Sequence, residues 1–231
     1  MDRVAVTFED SVRFFPSRAR PYLTGLPVRP EILSADRGKA REKFGIGSGE
    51  TMVLCFGGSQ GARSINRAVA EAFSPLSALP GLKLLHVTGS AQHQNFLAML
   101  QTGACQVNMP DNITIVPYMY EMPEALAAAD LIISRAGAAT LAEITVRGLP
   151  SVLVPFPYAT GNHQEYNARA LVSRGAAEMV KDSELNGMTL FNKLKQLLES
   201  REELAKMAEA SLRLGKPRAL DNILDGIAEL V

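Results

Sequence analysis

The chain has 231 residues, 47% of them apolar and 21% charged, the composition of an ordered globular protein and not of a disordered one. Lysine plus arginine equals aspartate plus glutamate at 24 each, which removes the main support for broad electrostatic binding to nucleic acid. The two cysteines, Cys55 and Cys105, show no C-x-x-C or zinc spacing and fit a reducing cytosol. The opening Met-Asp-Arg-Val has no signal-peptide pattern, and no apolar run approaches the roughly 18 residues of a membrane span.

Residues 1 to 48 read as a connector. A strand-like Arg3–Phe8 is followed by Pro16, Pro21, Gly25, Pro27 and Pro30, then by a helical piece over 36–44 and a Gly-rich gap over 45–49. The strand has no evident partner nearby, so it is expected to be the end of something upstream. Residues 49 to 231 alternate strand and helix. Strands are predicted at 51–56, 83–87, 113–116, 131–134, 151–154 and 177–179. Helices are predicted at 62–73, 91–100, 122–128, 138–147, 164–174, 184–199, 202–214 and 219–230. That alternation predicts an α/β fold: a Rossmann-like, doubly wound parallel sheet covered on both faces.

Two Gly-rich turns each lead from a buried strand into a helix. Gly57-Gly-Ser-Gln-Gly-Ala62 follows the first strand, and Ser134-Arg-Ala-Gly-Ala-Ala-Thr-Leu-Ala-Glu143 follows the fourth. Neither matches the dinucleotide or P-loop fingerprint. A bare helix start is an anion site, and Glu143 one turn deeper suits ribose hydroxyls. The Thr140/Glu143 spacing serves equally as a capping box, as does Asn162 with Glu165. Both readings stand for each pair. Near the strand ends, Ser59 and Gln60 are neutral hydrogen-bonders, Tyr118 and Met119 could flank a flat base, and Asn162-His-Gln-Glu165 suits sugar hydroxyls. His86 is expected in the core, His93 on an exposed helix face, and His163 at the surface or near the site. No D-x-D pair, metal-ligand spacing or G-x-S-x-G elbow occurs, so neither a metal nor a nucleophile is expected.

These motifs resemble the MurG family, which transfers N-acetylglucosamine to complete lipid II, the peptidoglycan precursor. The resemblance rests on the two turns above, on Pro155-Phe-Pro with Asn162-His-Gln-Glu-Tyr-Asn167, and on Thr24-Gly-Leu-Pro-Val-Arg29, where Leu26 replaces the usual Asn. It implies the C-terminal half of a GT-B glycosyltransferase: 1–48 as the remnant of an acceptor domain plus linker, and 49–231 as the UDP-sugar donor domain. Arg29 would lie near the diphosphate. Ser59 and Gln60 would contact the donor, and main chain at Met119 would read uracil. Ala138, Ala139 and Thr140 would present the helix start to the diphosphate. Glu143 would accept from ribose and Gln164 would hold the sugar. Glu165 would join it, although the family often has Gln or Thr there.

The implied partners are UDP-N-acetylglucosamine and, through a missing or separate N-terminal domain, a lipid-linked muramyl-pentapeptide. The implied reaction is metal-free displacement with inversion, at the cytoplasmic side of the inner membrane. The catalytic base would lie in the absent half, since His163 is poorly placed for it, and the chain alone would be inactive. Two alternatives remain: a non-catalytic UDP-sugar-binding module, and a UDP-sugar epimerase of the same fold.

Overall fold

The computed structural model describes residues 3–102 and 109–230, so Cys105 lies outside the described residues. The chain opens with β1 (Val4–Val6), two 3-10 turns (Glu9–Phe14 and Ser17–Ala19) and β2 (Pro21–Leu23), then α1 (Pro30–Ser34) and α2 (Arg37–Lys43). The alternating part begins with β3 (Thr51–Phe56), α3 (Arg63–Glu71), α4 (Phe73–Ser77), β4 (Leu82–Val87) and α5 (His93–Thr102). It continues through β5 (Ile113–Val116), α6 (Met122–Ala128), β6 (Leu131–Ser134), α7 (Ala138–Val146) and β7 (Ser151–Leu153). A 3-10 turn (Thr160–Asn162), α8 (His163–Val172), β8 (Ala177–Met179), α9 (Gly187–Glu199), α10 (Arg201–Leu214) and α11 (Ala219–Ala228) complete it.

The main sheet has six parallel strands in the order β5-β4-β3-β6-β7-β8. Both its faces are buried, and the strand residues divide by parity. Met52, Leu54 and Phe56 join one core with Ala125, Leu126, Leu141, Ile144, Ala168 and Leu171 of α6, α7 and α8. Val53 and Cys55 join the other with Ile65, Val69, Phe96, Leu190 and Leu194 of α3, α5 and α9. Near-continuous apolar strands are what such double covering requires. Ile32 of α1 and Ala40 of α2 belong to the first core, so this stretch packs on the same layer.

The strand at the N-terminus is not unpaired. β1 pairs in parallel with β2, Val4 opposite Pro21 through Val6 opposite Leu23. A proline at a strand's first residue forfeits little, and it hid this strand from pattern reading. α11 returns to this ribbon: Asn222 donates to the Thr24 carbonyl (3.3 Å), and Arg3 pairs with Glu229. The predicted helix over 62–73 is instead two, α3 and α4, joined at Ala72. The helix predicted from 184 starts at Gly187, where the Asn186 side chain accepts from the Thr189 N–H.

Candidate functional site

The chain runs outward from β3 through β4 to β5, then returns to the other side of β3 and runs outward again through β6, β7 and β8. β3 and β6 are therefore neighbours, paired from Val53–Leu131 to Phe56–Ser134. A crevice opens beyond the strand ends at such a reversal of order, the usual ligand position in open α/β sheets. The residues after Phe56 and after Ser134 are the two glycine turns, so both turns edge this crevice.

The first turn is closed by Gly61 N–H donating to the Gly58 carbonyl (2.9 Å). Gly61 has φ +76°, and a Cβ there would sit 2.0 Å from the Thr88 carbonyl oxygen; a Cβ on Gly89, after β4, would sit 2.2 Å from the Gly61 nitrogen. Glycine at both positions lets the two loops touch backbone to backbone. α3 and α7 then follow the N-cap residues Ala62 and Gly137, and neither helix start has a side-chain cap. α2, α9 and α10 do, through Asp36, Asn186 and Ser200, whereas α1, α4, α6, α8 and α11 are likewise without one, so what sets α3 and α7 apart is where they point. Two uncapped N-termini thus converge on one place, each carrying about half a positive charge.

The groove between them has a volume of about 1100 Å³. Gly57, Gly58, Gln60, Arg63 and Arg67 line one side; Arg135, Gly137, Thr140, Phe156, Tyr158 and Gln164 line the other. Arg63 and Arg67 are exposed, and Arg67 pairs loosely with Glu71 (3.8 Å). Among the described residues, Asp182 is the one carboxylate in the lining. Its Oδ1 accepts from both Arg135 Nη1 (2.5 Å) and Ser64 Oγ (2.5 Å).

Of the ten expected donor residues, Gln60, Thr140 and Gln164 line the groove. Ser59 is exposed at the turn tip between two lining residues. Ala138 and Ala139 form the first turn of α7. Arg29 and Glu143 lie outside the lining and pair with each other at 3.5 Å, Arg29 56% and Glu143 21% exposed. Burial pushes the Glu143 carboxyl above its ordinary value despite the Arg29 guanidinium. Met119, after the edge strand β5, packs half-buried against the first core and is not in the lining.

The capping alternatives are settled by position. Thr140 is the third residue of α7, not its cap. Asn162 does precede α8, but with left-handed φ 56° and no bond to the helix backbone; its amide donates to Glu165 (2.6 Å). Glu165 also pairs with Arg169 and is held below the usual carboxylate range by these two partners.

Gln164 braces two loops. Its side-chain oxygen accepts from the Ala136 N–H (3.2 Å) and the Phe156 N–H (3.0 Å). Two backbone donors fix the amide orientation, which leaves the NH2 as the free end. Arg135, Ser64 and Asp182 carried no role in sequence reasoning, because their partnership spans 118 residues. His163 bonds locally to the Thr160 carbonyl (2.9 Å). His93 is half-buried and meets Thr88 Oγ1 at 3.0 Å, where an exposed helix face was expected. His86 is in the core as expected, but among the described residues neither ring nitrogen has a hydrogen-bond partner, and burial lowers its pKa to about 4. Among the described residues no helix is long and apolar enough to cross a membrane.

A six-stranded parallel sheet with two helix starts meeting at its switch point is the architecture of the C-terminal half of a GT-B glycosyltransferase. The sequence pattern of the glycosyltransferase family 28 C-terminal domain matches residues 52–223, and the chain belongs to this family.

Among its relatives, a protein of Desulforamulus reducens is 49% identical over 100% of this chain and 62% of its own length. One of Desulforudis audaxviator is 50% identical over 99% and 61% respectively. Both are named UDP-N-acetylglucosamine–N-acetylmuramyl-(pentapeptide) pyrophosphoryl-undecaprenol N-acetylglucosamine transferase. The chain thus spans about three fifths of the curated relatives it matches. The crystal structure of Acinetobacter baumannii MurG superposes with TM-score 0.75 at 29% identity, over 98% of this chain and 60% of that one. A UDP-GlcNAc 2-epimerase from Neisseria meningitidis has TM-score 0.56 at 15% identity, which is a likeness of fold alone.

Proposed function

We propose that this chain binds UDP-N-acetylglucosamine at the switch-point groove and is the donor half of an enzyme that transfers N-acetylglucosamine to undecaprenyl-diphosphate-linked muramyl-pentapeptide. The observation that carries the reading is the convergence of two uncapped helix starts, with Arg63 beside them, on one groove. A leaving diphosphate gains negative charge in the transition state, and preorganised N–H groups and cations stabilise it. In this reading the main chain of Ala138, Ala139 and Thr140 meets phosphate, Ser59 and Gln60 contact the donor, and Glu143 takes the ribose hydroxyls. Arg29 exchanges Glu143 for the diphosphate, Met119 main chain reads uracil, and Gln164 with Glu165 serves the sugar.

Among the described residues the groove lining holds no histidine, and its carboxylate, Asp182, pairs with Arg135. Donor binding is therefore this chain's contribution, and a base and acceptor surface come from a second part. Residues 1–48 are the end of that part and the linker, and the enzyme works at the cytoplasmic face of the inner membrane.

Calorimetric titration with UDP-N-acetylglucosamine tests the binding. No heat at millimolar ligand from folded protein would sink the proposal. Transfer assayed after adding a separately expressed acceptor domain distinguishes a half-enzyme from a binding module. Conversion of UDP-N-acetylglucosamine without any acceptor would favour the epimerase reading instead.

A further inference from the structure

One guanidinium lies under the groove and joins the loops that form it. Arg135 immediately follows β6. Its Nη1 donates to the carbonyls of Val154 (3.0 Å) and Pro155 (3.2 Å), after β7, and to Asp182 (2.5 Å), after β8. Its Nη2 donates to Ser64 Oγ (3.0 Å) in the first turn of α3, after β3. Ser64 in turn donates to Asp182. Every partner follows the carboxyl end of a strand, and Ser64, Arg135 and Asp182 all line the groove.

Stability is a poor reason for such an arrangement. The ion pair is 13% and 23% exposed at its two ends, and burying two charges costs about what their attraction returns. What the fork supplies is geometry: a planar donor set fixes several acceptors in one plane and one register. The charge of Arg135 is already answered by Asp182, so it is a weak candidate for a phosphate ligand.

We propose that Arg135 is a positioning residue for the nucleotide-sugar groove: with Ser64 and Asp182 it locks the α3 start and the β6–α7 turn into the arrangement that aims both helix N-termini at one anion. This deepens the donor-binding reading and rests on it. Helix starts misaimed by a fraction of an ångström still exist as anion sites, but they no longer act on the same diphosphate.

The test compares wild type with Ser64→Ala, Asp182→Asn, Arg135→Lys and the Asp182→Asn/Arg135→Lys double variant. UDP affinity is measured by calorimetry below the melting range of each, and hydrogen exchange is followed at residues 57–64 and 135–138. Asp182→Asn and Arg135→Lys are expected to weaken UDP about tenfold each, with the double variant no worse than the weaker single one. Ser64→Ala, the mildest change, is expected to weaken UDP about threefold and to speed exchange in both segments while β3 and β6 stay protected. Exchange unchanged in these segments overturns the proposal whatever the ligand result. Tighter UDP binding by Asp182→Asn also overturns it, since that is the signature of a liberated direct ligand. Wild type that binds UDP with variants that bind it equally removes this inference alone. Wild type silent to UDP removes the donor reading and this inference with it.

Discussion

Glu143 is expected to serve binding at the expense of stability. Its raised pKa means that the folded protein resists its ionisation, so stability falls as pH rises from the ordinary carboxylate value through the raised one. The exposed Arg29 at 3.5 Å repays little of this. Glu143→Gln should therefore raise the melting temperature at neutral pH while weakening UDP by about 1–3 kcal/mol, read by calorimetry on the same preparation. At Gln164 the observed loop brace and the proposed sugar contact are separable. Gln164→Glu keeps an oxygen for the Ala136 and Phe156 N–H groups but loses the NH2. It should weaken UDP-N-acetylglucosamine and spare UDP, whereas Gln164→Ala should weaken both because the loops lose their brace. His86 sets the acid limit. It is buried neutral with a pKa near 4, while the unfolded residue titrates near its ordinary 6.5. The unfolded chain takes the proton first as pH falls, so stability is full above about 6.5 and declines toward 4, by up to about 3 kcal/mol. Denaturant melts of wild type and His86→Leu between pH 4 and 7 check this; the variant should lose most of the slope. At this scale the sequence showed residue types and motif spacing. It could not show that Arg29 holds Glu143, or that Asp182 answers Arg135, because those partners lie 114 and 47 residues apart.

The elements were mostly legible because each carries a local signal. β3, β5, α6 and β6 match their expected ranges, being apolar runs bounded by turns or prolines. The misses have local causes. β2 begins at a proline and α1 spans only Pro30–Ser34, too short for a period to show. The join between α3 and α4 at Ala72 breaks no hydrophobic pattern, since Ala72, Phe73 and Leu76 all enter the same core. The Gly61–Gly89 contact belongs to this scale, because it sets how the β3–α3 turn lies on the β4–α5 turn. Gly61→Ala meets both a left-handed φ and the Thr88 carbonyl. It should cost roughly 1–3 kcal/mol of stability and most of the UDP affinity, with Gly58→Ala, which shares the positive φ (+90°) but meets no neighbouring atom, as the comparison that isolates the loop contact. Thermal melts and titrations of the pair would contradict this if the two variants behaved alike.

For the whole molecule, the groove's charges do not balance: with Arg135 answered by Asp182, Arg63 and the loosely paired Arg67 leave the described lining positive, although the chain as a whole is neutral. UDP affinity should therefore fall several-fold as ionic strength rises from about 0.05 to 0.5 M, since exposed charges are screened over about 10 Å at 0.1 M. A salt-independent titration would refute the electrostatic part of the reading. The sequence by itself determined the strand–helix alternation, hence a parallel sheet with two covered faces, and it marked the two glycine turns. It also carried the family, because the motifs are contiguous stretches of chain. Only the tertiary structure decided that β3 and β6 are neighbours, which makes one groove of two turns about 78 residues apart. Strand order is set by which apolar faces helices can cover and by crossover handedness, both properties of the packed molecule and not of any segment. The same packing chose Arg135, Ser64 and Asp182 to floor that groove, a choice no local pattern could announce.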